Sequence, residues 1–295
     1  MLQTVSKPLL RSLVGLASVI EARDPYTGGH CWRVGQFSML LAGSLGLDAD
    51  EVFLAGIGGV LHDVGKVAVP DAILRKPGRL TEEEFSVIRT HPSVGRDLLA
   101  SHPLADLVLD AVSCHHERPD GLGYPNGLAG DDIELVTRIV GLTDAFDAMT
   151  SARPYRTPMA IPVALSILKE EGGRQFDSML ADAFAKLHDP QDRLSHIVGH
   201  TDTGRALATC PNCGPIVVLS PFFKDGDIAV CRNCGGKMVM HKQADHYVPE
   251  LVGVAGSADD LRPRPETESL EFFVNAAPKP RRFFGNLGTL WGSPQ

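Results

Sequence analysis

Val60-Leu61-His62-Asp63-Val64-Gly65-Lys66 ends an apolar run on a histidine beside an aspartate. The pair alone carries little, because a 295-residue chain with 11 histidines holds about one His-Asp dipeptide by chance. A second pair, His188-Asp189, stands in the plain helix-end context Leu187-His188-Asp189-Pro190 and serves as the contrast. The first pair has company: His30 upstream, His91 before Pro92, the doublet His115-His116, and Asp144 in a later helical stretch. Neutral imidazoles and carboxylates are what borderline divalent metals bind, and these side chains outnumber the three or four that one catalytic ion takes from protein. Two divalent ions are therefore expected. A carboxylate beside a histidine at a helix end can bridge them. Two metals about 3.5–4 Å apart activate a water and polarise a phosphoryl oxygen, which is the physics of phosphoester hydrolysis. Each histidine taken singly reads as well as a surface or hydrogen-bonded core residue; the set carries the inference.

The chain around these residues is helical. From Pro8 to about Leu187 apolar residues recur at three- and four-residue spacing, and Thr81-Glu82-Glu83-Glu84 has the form of a capping box. Helices are expected over 8–22, 31–46, 50–63, 82–90, 93–101, 104–117, 131–151, 159–171 and 177–188, so residues 1–200 read as an all-α bundle. Between Thr209 and about Val239 short β-branched runs such as Ile216-Val217-Val218-Leu219 are separated by Gly and Pro turns, the texture of a small β-rich module at 207–242. After Leu251 come Arg-Pro-Arg-Pro and Pro-Lys-Pro with five positive and five negative side chains, which reads as a disordered, low-order tail over 252–295. The tail aromatics Phe283, Phe284 and Trp291 are surfaces for docking at most.

Composition narrows the function. At 43% apolar residues the chain buries a sizeable core, as one large domain or two modest ones. Its 28 Lys+Arg against 36 Asp+Glu, a formal charge of −8, argue against a nonspecific nucleic-acid coat or attachment to an anionic membrane and leave room for a locally basic pocket. No window approaches 18 apolar residues and the N-terminus has no secretory pattern, so a cytoplasmic protein with reduced thiols is expected. The histidine-rich domain begins within about twenty residues of Met1, so regulation is expected through the C-terminal part or a partner.

The motifs, taken in order, resemble the HD-GYP family. They are Asp24-Pro25-Tyr26-Thr27-Gly28-Gly29-His30 with Arg33-Val34, His62-Asp63-Val64-Gly65-Lys66, His91-Pro92, and His115-His116-Glu117 leading to Asp120-Gly121-Leu122-Gly123-Tyr124-Pro125. Asp144-Ala145-Phe146-Asp147-Ala148-Met149-Thr150 and Gln175-Phe176-Asp177 follow. The resemblance spans roughly residues 15–190 and implies an all-α HD-domain bundle that hydrolyses cyclic di-GMP to the linear dinucleotide pGpG or onward to GMP. By motif position it implies one metal on His30, His62, Asp63 and Asp144 and a second on Asp63, His91, His115 and His116. Mixed imidazole and carboxylate donors suit iron, manganese or zinc, and iron or manganese is expected. The family's optional third-metal glutamate corresponds to Tyr26, so two ions are expected, not three. Lys66 would stabilise charge developing at the phosphate. Tyr124 would offer the substrate an aromatic face or a hydroxyl, and Arg153 and Arg156 match basic positions that grip phosphate. Asp147 and Thr150 are expected to orient neighbouring groups. Glu117 either bonds a ligand histidine or faces solvent.

Cys210-Pro-Asn-Cys213 and Cys231-Arg-Asn-Cys234, with seventeen residues between, have the spacing of a four-thiolate structural zinc site. Four thiolates leave no open coordination position, so this zinc-ribbon-like module is structural or an adaptor for a protein partner, as the tail could be. Nucleic acid is disfavoured because its lysines and arginines form no basic patch. The competing readings are a noncatalytic cyclic dinucleotide receptor that keeps the fold, and a phosphohydrolase of another nucleotide. The complete set of ligand positions and Lys66 favours the enzyme over the first, and the Gly-Tyr-Pro segment over the second.

Overall fold

A computed structural model describes residues 5–23, 29–76, 78–151, 158–188, 193–195, 197–198, 206–213, 216–219, 223–232, 234–243, 246–254 and 267–278. Among the described residues ten α-helices come first: α1 (Lys7–Arg23), α2 (His30–Ser44), α3 (Ala49–Leu61), α4 (Asp71–Leu74), α5 (Glu82–Ile88), α6 (His91–Leu99), α7 (Leu109–Cys114), α8 (Leu135–Thr150), α9 (Ile161–Glu170) and α10 (Ser178–Ala185). Five strands follow, β1 (Leu207–Thr209), β2 (Ile216–Val218), β3 (Ile228–Val230), β4 (Gly236–Gln243) and β5 (His246–Val254), and then α11 (Thr267–Ala276). The all-α architecture with a small β-rich module is as expected. The single stretch expected at 104–117 is instead a 3-10 turn at Ala105–Leu107 and α7, parted at Val108, whose φ of −135° leaves the helical region.

α3 is the central element. Asp48 and Glu51 form a reciprocal capping box at its start, and nearly every residue from Phe53 to Leu61 is buried, so it is apolar on all sides. α2 packs antiparallel to it, with a four-residue connection containing Gly46 at φ +75°. The two approach so closely that a Cβ on Gly59 would meet the Gly35 backbone at 2.9 Å, which only glycine permits. Two apolar clusters flank this pair. One joins α1, α3, α6 and α7; the other joins α2, α8, α9 and α10 around Phe37, Phe146 and Phe184, whose rings meet edge to face at 4.9–6.0 Å.

The C-terminal part departs from expectation. The tail from 252 to 295 is not uniformly of low order: α11 lies on α1, with Phe273 and Val274 fully buried in the first cluster. The Phe273 ring enters the space that Gly35 and Gly56 leave open and meets Trp32 at 5.9 Å between centroids. Glu271 receives two hydrogen bonds of 2.9 Å from Arg11, and Asn275 one of 2.9 Å from Lys7. The prolines and charges on either side masked a short amphipathic run, Leu270, Phe273, Val274 and Ala277, at helical spacing. Phe283, Phe284 and Trp291 lie outside the described residues. The ribbon also reaches past residue 242, because β5 continues the antiparallel sheet β3-β4-β5 to Val254, while β1 and β2 form a separate hairpin.

Candidate metal centre and substrate cavity

Antiparallel packing brings the first residue of α2 to the residues that follow α3, so the His30 and His62 rings meet at 5.2 Å. After His62 the chain turns at Asp63 (φ −94°, ψ 5°) into a 3-10 turn, Val64–Ala68, which folds Lys66 back over the aspartate. That turn sits directly on the start of α6: a Cβ on Gly65 would fall 1.9 Å from the carbonyl oxygen of His91. α7 ends on His115-His116, and α8 supplies Asp144. All seven expected metal-ligating side chains therefore converge, although they come from five segments of the chain.

Asp63 stands at the centre and is divided between two groups. Its Oδ2 faces His62 Nε2 at 3.3 Å, His30 Nε2 at 3.6 Å and the Lys66 ammonium at 2.5 Å, while Oδ1 faces His91 Nε2 at 3.3 Å. Asp144 Oδ1 joins the first group, 3.3 Å from His30 and 3.7 Å from His62. His115 and His116 join His91 in the second.

Backbone carbonyls settle the tautomers. Nδ1 of His62 lies 2.7 Å from the Gly59 oxygen, Nδ1 of His91 2.7 Å from that of Ile88, and Nδ1 of His115 3.0 Å from that of Ala111. A carbonyl only accepts, so each Nδ1 carries a proton and donates it, and each neutral ring turns the lone pair of Nε2 inward. Nε2 of His91 and Nε2 of His115 then face one another at 3.2 Å, two acceptors with no proton between them, and His62 Nε2 and Asp63 Oδ1 are buried with no hydrogen-bond partner. Orphaned lone pairs on buried nitrogen and oxygen are costly unless a cation takes them. The site fits divalent metal ions.

Electrostatics agree. Burial pushes His91 down to about 3 and His116 down to about 4, and it holds His115 well below the usual imidazole range with help from its histidine neighbours, so these rings are neutral at pH 7, as metal binding requires. Asp63 and Asp144 resist burial because histidines surround them, and for Asp63 also Lys66; both stay ionised far below the usual carboxylate range. Burial also opposes a charge on His30, but hydrogen bonds to Asp144, Asp147 and Asp63 outweigh it and raise that ring.

Asp147 does orient its neighbour, accepting from His30 Nδ1 at 2.8 Å. It is held in turn by Arg33, fully buried, with bonds of 2.6 and 3.0 Å. Arg33 is a residue to which the motif reading assigned no role; its position three beyond His30, on the same face of a helix, was the available signal. Thr150 instead donates to the Phe146 carbonyl of its own helix. Glu117 does neither thing expected of it: buried, it accepts from the backbone N–H groups of Asn126 at 2.6 Å and Leu128 at 3.0 Å, tying down the Gly-Tyr-Pro loop. Tyr124, followed by a cis peptide to Pro125, stacks on the His116 ring at 4.7 Å. Burial and the nearby carboxylates raise its phenol, so the hydroxyl keeps its proton. Arg153, Arg156 and Tyr26 lie outside the described residues, as does Asp189; His188 lies in the turn three residues beyond α10 and belongs to none of the ligand groups found among the described residues.

A cavity of ≈ 410 Å³ opens over this cluster, with Lys66, His91, His116 and Asp144 on its floor and Arg89 and Tyr124 in its wall. That is room for a nucleotide-sized ligand.

The four cysteines form the second cluster. None of them forms a disulfide, and their Sγ–Sγ separations are 3.6 Å (Cys213–Cys231), 3.7 Å (Cys210–Cys234) and 3.8 Å (Cys210–Cys213). A tetrahedral ion with zinc–sulfur bonds of about 2.3 Å needs sulfurs about 3.8 Å apart. Gly235, at φ +71°, makes the knuckle that lets the Gly236 N–H point at Cys234 Sγ. Burial of Cys234 is outweighed by this bond and by those from Asn212, Cys213 and Cys210, which lower its thiol to about 7.

The HD domain family profile matches residues 16–180, more than half of the chain. The chain belongs to the HD domain family. Its motifs and relatives make it an HD-GYP member. It is 40% identical over 197 residues to a cyclic di-GMP phosphodiesterase response regulator of Xanthomonas campestris, RpfG, covering 66% of this chain and 51% of that one. It is 42% identical over 185 residues to a cyclic di-GMP phosphodiesterase of Pseudomonas aeruginosa, covering 62% and 44%. A 3'3'-cGAMP-specific phosphodiesterase of Vibrio cholerae is 36% identical over 189 residues, covering 62% and 41%. The chain thus spans about half or less of the length of these relatives. A solved cyclic GMP-AMP phosphodiesterase structure from V. cholerae superposes with a TM-score of 0.50 at 18% identity over 72% of this chain and 56% of that one, a likeness of fold. Among the described residues no helix is long and apolar enough to cross a membrane.

Proposed function

We propose that this protein is a metal-dependent phosphodiesterase that hydrolyses cyclic di-GMP to pGpG, GMP or both. The observation that carries the reading is Asp63, whose two oxygens face two separate sets of inward-turned ligands. His30, His62, Asp63 and Asp144 would hold one ion and Asp63, His91, His115 and His116 the other, and we propose iron or manganese among the ions, zinc included, that mixed imidazole and carboxylate donors suit. Bound there, the ions would supply Lewis acidity toward a phosphoryl oxygen and an activated water. The residues of the chain do the rest. His91, His115 and His116 stay neutral because they are buried, and Asp147 and the carbonyls of Gly59, Ile88 and Ala111 fix the rings that they accept from. Lys66, held on Asp63, keeps a positive charge beside the place where the phosphate gains negative charge. Tyr124 keeps a protonated hydroxyl at the cavity wall as a donor to substrate oxygen. In the reaction one ring P–O bond is exchanged for a bond to water's oxygen, the ribose oxygen leaves with a proton, and the cyclic dinucleotide becomes linear. Arg153 and Arg156 are proposed to grip phosphate, as their motif positions suggest.

The four-thiolate site is proposed to hold one structural zinc, and the ribbon to engage a protein partner in the cytoplasm. The test is anaerobic turnover of cyclic di-GMP by protein purified with its native metals, products followed by chromatography. His62→Ala and Asp63→Ala should abolish conversion, and His188→Ala should not. Equal loss in all three folded variants would refute the choice of site. Tight binding of cyclic di-GMP without conversion by the parent would replace the enzyme by a receptor.

A further inference from the structure

Arg89 follows α5 directly and stands two residues before His91, so its backbone is fixed by the same junction that places a metal-ligating histidine. Its side chain is exposed and lines the cavity. The guanidinium carbon lies 4.9 Å from the centroid of the Tyr124 ring and 5.2 Å from that of Phe85. Tyr124 in turn stacks on His116. The order outward from the metal centre is therefore His116, Tyr124, Arg89, Phe85. A guanidinium lying over aromatic rings is held by its face, and its in-plane N–H fork is what remains for a ligand.

Lys66, His116, Tyr124 and Arg89 line one cavity, and Arg89 is one aromatic layer beyond His116, so a nucleotide whose phosphate sits on the metal centre beside Lys66 has room to extend its base toward Arg89. The ring of Tyr124 is already engaged by His116 and Arg89, so recognition of the base falls to a polar edge and not to an open aromatic face. Guanine presents two acceptors, O6 and N7, which match a two-pronged donor; adenine presents N7 beside the N6 amino group, a donor that meets the same fork with repulsion.

We propose, resting on the phosphodiesterase reading above, that Arg89 reads the guanine of the substrate through O6 and N7 and is the residue that discriminates guanine from adenine at this site. Tyr124 and Phe85 hold the guanidinium in plane for that contact, and Arg89 takes no part in the bond-breaking step.

The test compares cyclic di-GMP with cyclic di-AMP for the metal-loaded parent, Arg89→Gln and Arg89→Met, with kcat/KM from turnover and Kd from calorimetry for each pair. The parent should prefer the guanine dinucleotide. Arg89→Met keeps an apolar contact for Tyr124 but no donors, and should lower that preference roughly ten- to a hundredfold, with the adenine compound unaffected. Arg89→Gln should carry the ratio further toward adenine, because an amide matches N6 and N7. Equal losses for both compounds, the result of a phosphate contact or of a merely structural role on Tyr124, would overturn the proposal, as would an unchanged ratio or a parent with no guanine preference. If the parent binds but cleaves neither compound, the phosphodiesterase reading fails alone and the ratio of Kd values decides Arg89.

Discussion

Asp147→Asn removes one charge from the deepest part of the site while keeping the shape of the side chain. Asp147 is 1% exposed and Arg33 0%, joined by hydrogen bonds of 2.6 and 3.0 Å, and the same carboxylate accepts from His30 Nδ1 at 2.8 Å. The amide has one acceptor oxygen where three donor N–H groups now find two, and it leaves a buried guanidinium without its counter-charge. Breaking a buried pair in this way costs about 3–5 kcal/mol, which in a domain of this size lowers the melting temperature by about 6–20 °C. Loss of the carboxylate behind a ligand histidine costs a further ~10–100-fold in metal affinity. Urea unfolding followed by circular dichroism gives the first number, and metal content after dialysis against a graded chelator gives the second. Arg33→Leu combined with Asp147→Leu removes both charges and should be less destabilising than Asp147→Asn alone, since no orphaned charge remains. Stability within about 1 kcal/mol of the parent together with unchanged metal retention would refute both the desolvated pair and its hold on His30.

Phe273→Ala empties a fully buried site against Trp32, Gly35 and Gly56, and a loss of about 3–5 kcal/mol in unfolding free energy is expected; a loss under 1 kcal/mol would mean that α11 is not docked in solution. Cys210→Ser should release about one zinc per chain without emptying the histidine and aspartate site, which metal analysis of the variant checks; coupled loss would show that the two modules depend on one another. For protein stripped of metal, stability should fall as the pH drops from about 6.5 toward 4. His91, held at about 3, and His116, held at about 4, bind fewer protons folded than unfolded in that window, so their stabilisation is complete above it and lost within it. His115 adds to the same trend, and together the three outweigh Glu21, which burial raises to about 7, and His30, which its carboxylate neighbours raise, both of which act in the opposite sense. A melting temperature that is level or rises on acidification through this window would contradict the buried neutral histidines.

Much of the centre was legible because its parts are local. His62-Asp63 follows an apolar helix, His115-His116 follows another, and each proposed metal ligand sits in a short motif whose order survives any detail of packing. The Cys spacings likewise describe knuckles closed within a few residues. Three features were not legible in this way. Glu117 presented a carboxylate that could have turned to a histidine or to water, and only the path of the loop brought the N–H groups of Asn126 and Leu128 to it. α11 was diluted by the prolines and charges around it, and its helical spacing acquires meaning only against a groove made by glycines in α2 and α3. Arg89 is an ordinary charged residue until Tyr124 arrives from a loop 35 residues later.

Helical periodicity, the short motifs that carry the seven histidine and aspartate side chains, and each CxxC knuckle were determined by the sequence itself, because each such motif is made of side chains a few residues apart. Tertiary structure alone decided which carbonyl takes each Nδ1 proton, how the oxygens of Asp63 are shared, and that Arg33 closes on an aspartate 114 residues away. These depend on how closely helices distant in the chain can approach. That distance is set by the absence of a Cβ at Gly35, Gly59 and Gly65, whose effect appears only when the partner backbone is in place.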